Sequence, residues 1–155
     1  MTELKKQEFW FVVGSQLLYG AEVLETVAKR ANEMAARLSE SLPCKLVYKA
    51  TIKSADEATQ IMKEANFAEE CCGVVSWCHT FSPSKMWIEG LRLLQKPYCH
   101  FATQYNRSIP DDEIDMDFMN LNQSAHGDRE HGFICARMRL ARKVVVGYWQ
   151  DEEPI

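Results

Sequence analysis

Residues 8–13, EFWFVV, run directly into residues 14–20, GSQLLYG, and this junction sets the pattern for the whole chain. The first six residues form a short apolar run rich in aromatic and β-branched side chains, the length and composition of a buried strand. The glycine-bounded stretch that follows breaks the strand. Helical periodicity then takes over. Val23, Leu24, Val27, Ala31, Met34, Ala35 and Leu38 recur at helical spacing up to Ser41, ahead of Pro43.

The same alternation continues down the chain. Residues 45–50 (KLVYKA) read as a second strand. Ser54 is placed to cap the next helix, with Glu57 completing a capping box, and that helix carries Ala58, Ile61, Met62 and Ala65. Residues 72–77 (CGVVSW) form an uncharged third strand, and 78–83 (CHTFSP) a turn-rich break. A helix over 85–94 presents Met86, Trp87, Ile88, Leu91 and Leu94. Residues 97–101 (PYCHF) are a fourth strand, and a polar connection spans 102–113. The segment 114–133, IDMDFMNLNQSAHGDREHGF, reads as helical on to about Leu140, broken at Gly127 or Gly132. On one helix, Met116, Met119 and Gln123 share a face, with His126 or Gly127 a turn further on. Two readings stay open for it. Asp115 and Asp117 suit a helix N-terminus, or the segment is a polar wall meeting a ligand or another subunit. Residues 143–149 (KVVVGYW) are a fifth strand.

Strand and helix thus alternate throughout residues 1–155. The pattern predicts one domain, a three-layer α/β/α arrangement around a five-stranded, mainly parallel sheet of the Rossmann or flavodoxin-like kind. In such sheets ligands bind beyond the carboxyl ends of the strands. The loops GSQLLYG, CHTFSP and ATQYNR should therefore lie along one edge.

Composition narrows the classes. A hydrophobic content of 46% in 155 residues supports one sizeable core. A net charge of -4 and a pI near 5.6 argue against a nucleic-acid surface. No apolar run approaches the length of a membrane span, and MTELKKQEFW lacks a signal peptide's apolar core. Six cysteines, at 44, 71, 72, 78, 99 and 135, form no CxxC pair, the usage expected of reduced thiols in a cytoplasmic protein.

GSQLLYG lacks both G-x-G-x-x-G and G-K-[ST], so a nucleotide site is disfavoured. The third strand ends Trp77-Cys78-His79 rather than in an aspartate, which disfavours a phospho-acceptor. The four histidines, 79, 100, 126 and 131, show no i, i+4 pair and no H-E-x-x-H. They read as structural or surface groups. Cys78 and His79, as strand neighbours, should point to opposite faces, against a thiol–imidazole pair. Phe81 sits in a turn at the functional edge, unlike an ordinary core aromatic.

Three stretches, FWFVVGSQLLYG (9–20), HTFSPSKMWIEGL (79–91) and IDMDFMNLNQSAHGDREHGFICARM (114–138), strongly resemble the N-terminal domain of bacterial L-arabinose isomerase, and weaker similarity joins them up to about Asp151. The resemblance implies an aldose–ketose isomerisation of L-arabinose to L-ribulose, a divalent metal, usually Mn2+, and hexamers whose active sites are completed by a neighbour's N-terminal domain. It implies sugar contacts from Gln16, Leu18 and Tyr19, an aromatic wall from Phe81, and polar groups from Gln123 and His126 reaching a neighbour's site. Amides and imidazoles suit sugar hydroxyls, and aromatic faces suit sugar C–H groups. The chain departs from the family's pattern at Leu17 and Ala102, where the family usually has histidine, and at Asp111, where it has tryptophan. The family's metal ligands and catalytic carboxylates lie in later domains. No bound metal and no isomerase activity are therefore expected of this chain alone. The expected partners are L-arabinose or a related aldose and either further copies or the missing catalytic domains, with no nucleic acid and no membrane. The alternative is a stand-alone, non-catalytic sugar-binding or assembly protein derived from the family. Apolar surface near the last strand should be left exposed and drive association.

Overall fold

The computed structural model describes residues 7–80, 84–112 and 114–151. Five strands, β1 (Glu8–Gly14), β2 (Lys45–Ile52), β3 (Cys71–Cys78), β4 (Tyr98–Ala102) and β5 (Lys143–Val146), pair in the order β2-β1-β3-β4-β5. All four pairings are parallel. This is the flavodoxin-like order, in which the chain direction across the sheet reverses between β1 and β3.

The helices are α1 (Gly20–Ser41), α2 (Ala55–Phe67), α3 (Ile88–Leu93), α4 (Met116–Leu121) and α5 (Ser124–Arg137). Alternation along β1 explains the layers. Trp10 and Val12 face a core with Ala58, Met62 and Ala65 of α2, Trp87 and Leu91, and Cys135 of α5. Phe11 and Val13 face the opposite core, with Val27, Ala31, Met34 and Ala35 of α1 and with Trp77. Because both faces are covered, β1 reads as a continuous apolar run rather than an alternating one.

Local chemistry sets the helix starts as expected at Ser54, whose hydroxyl accepts from the Glu57 N–H at 3.2 Å. The Glu57 carboxylate reaches back to the Lys53 N–H at 2.6 Å, one residue earlier than the usual capping box. Asp115 caps α4 by accepting from the Phe118 N–H at 2.7 Å.

Two expectations need correction. The segment 114–140 is not one helix broken at a glycine. It breaks at Asn122 and Gln123, while Gly127 and Gly132 both lie inside α5. The Asn122 N–H bonds to the carbonyls of Phe118 and Met119, and its side-chain amide also donates to Phe118 O at 2.8 Å, closing α4. The face shared by Met116, Met119 and Gln123 therefore does not form. Met116 and Met119 are exposed on α4, while Gln123 is the half-buried N-cap of α5. The fifth strand also stops at Val146, short of Trp149. Beyond it, Trp149 turns back over the α1 face, where it stacks on Tyr105 at 5.7 Å and donates its indole N–H to Tyr105 O. Val144 and Val146 are exposed on β5, so apolar surface lies at the last strand as anticipated. No described helix is long and apolar enough to cross a membrane.

Candidate functional site

The reversal point of the sheet, at the carboxyl ends of β1 and β3, is where doubly wound folds place ligands. Gly14 and Cys78 stand opposite each other there. The His79 N–H donates to Gly14 O at 3.3 Å, and the buried hydroxyls of Ser15 and Thr80 lie 2.7 Å apart. The loops GSQLLYG and CHTFSP thus leave the sheet side by side. Phe81 lies outside the described residues.

Just past this point residues 17–19 make a single 3-10 turn. Gln16 and Tyr19 are brought together, the Gln16 amide donating to the Tyr19 hydroxyl at 3.2 Å. Leu18, in the same turn, is 83% exposed beside an exposed Leu17. Across the edge, α5 starts under a double anchor on the carbonyl of Thr103, which accepts from Ser124 Oγ at 2.8 Å and from the Trp77 indole at 2.9 Å. That places Gln123 at the helix N-cap and His126 on its exposed first turn, the His126 N–H bonding to Gln123 O. A cleft of about 420 Å³ is lined by Gln123, Asn122, Asn106, Ile114, Phe118 and Met119. Amides and apolar side chains do meet in one wall, but across a break between two helices.

Arg30 joins the two sides. Its guanidinium donates to Asn122 Oδ1 at 3.1 Å, lies 3.3 Å from His79 Nε2 and stacks over the Tyr105 ring at 4.3 Å. One α1 cation therefore holds the end of β3 and the α4–α5 junction. Burial, reinforced by this cation, lowers the His79 pKa to about 3. The ring is then neutral near pH 7 and accepts at Nε2. Sequence reasoning missed Arg30, since nothing local marks an exposed-looking helix arginine as a cross-chain tie.

A second polar group lies beneath the edge, between the sheet and α5. Ser76 Oγ is 2.5 Å from the Tyr98 hydroxyl and 2.8 Å from His100 Nδ1. Tyr98 OH is 2.5 Å from His131 Nε2, and His100 Nε2 is 2.9 Å from Asp128 Oδ1. The His100 and His131 rings stack at 4.4 Å. Burial depresses His131 and raises Tyr98 and Asp128, although the hydrogen bond from His100 opposes the Asp128 shift. The histidines divide into structural and surface groups as expected. Three of the four, 79, 100 and 131, are buried in built hydrogen-bonded positions, and only His126 is exposed.

The Cys78 thiol joins this group, and ligand atoms of Cys78, His100 and Asp128 all lie within 4.8 Å of one another. Burial, and then the nearby Asp128 carboxyl, push the thiol well above its usual range. A register clue existed. Ser76 pairs with His100 across β3 and β4, and Cys78 lies two residues on from Ser76, on the same strand face. All six cysteines are unpaired.

Comparison with known proteins fits this architecture. The family model for the L-arabinose isomerase N-terminal domain matches residues 3–155. L-arabinose isomerase of Herpetosiphon aurantiacus is 59% identical over 99% of the chain, which covers 31% of that protein. Thermotoga maritima L-arabinose isomerase is 58% identical, again over 99% of the chain and 31% of the relative. L-arabinose isomerase 2 of Clostridium acetobutylicum is 58% identical with 32% of its length covered. The chain spans about a third of the length of the curated relatives it matches. By the match along nearly its whole length, the chain belongs to the L-arabinose isomerase family and corresponds to that family's N-terminal domain.

Proposed function

We propose that this chain serves as the N-terminal domain of a cytoplasmic L-arabinose isomerase, and that its strand-end edge supplies sugar-contacting groups to a neighbouring subunit's active site. The observation that carries the reading is the edge itself. The Gln16–Tyr19 pair follows β1 and the Gln123–His126 turn opens α5, while Arg30 ties His79 at the end of β3 to Asn122 beside that turn, at one end of a family-matched sheet. Leu18, with Leu17 beside it, presents apolar surface next to these polar groups, as a contact with another subunit requires. The amides, phenol and imidazole hydrogen-bond and orient sugar hydroxyls, and Phe81 packs on the sugar's C–H face.

The manganese implied by the family resemblance would polarise the sugar's oxygens. Mn2+ prefers oxygen ligands. The group of ligating side chains found among the described residues combines a thiol, an imidazole and one carboxylate. That set does not suit manganese.

A second reading, a non-catalytic assembly module, is favoured by the exposed Met116, Met119 and Phe133 on α4 and α5. One experiment separates the two. The N-terminal third of the Thermotoga maritima enzyme is replaced with this chain, and ribulose formation from L-arabinose is followed with Mn2+. The chimera should be active. Gln16→Ala and His126→Ala should each lower kcat/KM at least about tenfold, with the oligomer intact by light scattering. Full activity in both variants would reduce the domain to assembly alone.

A further inference from the structure

We propose that Cys78, His100 and Asp128 form a binding site for a borderline-soft divalent cation, with Zn2+ as the type ion. The three ligands come from three elements, the end of β3, the middle of β4 and the first turns of α5. Cys78 is fully buried, His100 is 2% exposed, and the Asp128 side chain is 13% exposed. Thiolate, imidazole and carboxylate are each zinc ligands, and the soft thiolate argues for zinc over magnesium, calcium or manganese.

Charge balance fits the assignment. A dication with one thiolate and one carboxylate makes a neutral centre. On capture, Zn2+ bonds to Sγ and to His100 Nε2; the thiol proton is released to water and the Nε2 proton is replaced by one on Nδ1 of the same neutral ring, so binding yields one proton and no redox change.

The geometry is close to closed. Tetrahedral zinc holds ligand atoms about 3.5 Å apart. His100 Nε2 and Asp128 Oδ1, at 2.9 Å, need to part by a few tenths of an ångström. The remaining separation, up to 4.8 Å, needs to close by about 1 Å through rotation of Cys78 and Asp128. The outer support already exists. With Nε2 on the metal, His100 Nδ1–H donates to Ser76 Oγ, 2.8 Å away, which fixes the tautomer and ring orientation. Asp128 also lines a cleft of about 400 Å³ with Ala102, Thr103 and Asn106. The Asp128 side of the site therefore borders a solvent path for entry of the ion.

The test uses the full chain, stripped with a chelator and titrated with Co2+. One equivalent should bind, with a thiolate-to-cobalt charge-transfer band and the strong visible bands of tetrahedral cobalt, and Zn2+ should displace it. Cys78→Ser should abolish the charge-transfer band. Asp128→Asn, isosteric and at the cleft edge, should weaken Co2+ binding at least about tenfold with an unchanged far-ultraviolet spectrum. Ser76→Ala should weaken it by about tenfold. Absence of the thiolate band in the parent chain overturns the proposal. So does a band that survives Cys78→Ser, which would trace to the more exposed Cys44 or Cys72, or unchanged binding by folded Asp128→Asn.

Discussion

Replacing Gly90 and Gly132 by alanine should move stability in opposite directions, although both are helical glycines. In a helix, alanine in place of glycine gains about 1 kcal/mol from propensity and unfolded-state entropy. At Gly132 that gain stands alone, because an added Cβ meets nothing within 4 Å. At Gly90 the Cβ would lie 2.6 Å from Ala58 O and 2.9 Å from Ala58 C, both backbone atoms of α2. Ordinary contact begins at 3.4 Å, so α2 and α3 would have to separate by most of an ångström. Those helices carry Met62, Ala65 and Leu91 of one core, and such overpacking costs about 2–3 kcal/mol. Subtracting the helix gain leaves Gly90→Ala destabilised by about 1–2 kcal/mol. Urea unfolding at neutral pH, followed by tryptophan fluorescence, measures both. With a slope near 1.5 kcal/mol/M, the midpoint should fall by about 1 M for Gly90→Ala and rise by about 0.7 M for Gly132→Ala. Equal shifts of the same sign would refute the backbone-contact reasoning.

Acid should weaken the fold through His79. Its folded pKa of about 3 lies below the unfolded value of about 6.5, so its contribution is present above pH 6.5 and is lost as pH falls. The difference amounts to about 2 kcal/mol at pH 5, and comparing the urea midpoints of wild type and His79→Gln between pH 7.5 and 5 should isolate it; identical pH slopes would count against it. Arg30→Met should release the α4–α5 junction, costing about 1–2 kcal/mol, and should raise the His79 pKa seen by NMR titration of the imidazole, because the cation is one cause of its depression. Alkylation of the native chain should label Cys44 and Cys72 well before Cys78, which is fully buried, with no disulfide detected by mass spectrometry; early labelling of Cys78 would contradict its burial.

The sequence by itself determined the strand–helix alternation, and with it the parallel sheet, the single edge shared by the loops, and the family. Those features are written locally. A strand covered on both faces must be apolar throughout, as EFWFVV is, and a helix covered on one face must be periodic, as 23–38 is. A serine before a helix with glutamate three residues on announces its start, as Ser54 and Glu57 do. The break at Asn122 was not legible, because it depends partly on Arg30, 92 residues away, whose guanidinium takes the Asn122 side chain. Glycine was the local signal for a break, yet both glycines of α5 lie in continuous helix. The polar group under the edge was equally hidden. Ser76, Cys78, Tyr98, His100, Asp128 and His131 have no local pattern in common, and only the register of β3 on β4 and the seating of α5 on both bring them within bonding distance. Local sequence records which side chains must be buried and at what period. Which buried polar groups meet is decided by how distant elements pack, since each such group must find its partner wherever the fold supplies one.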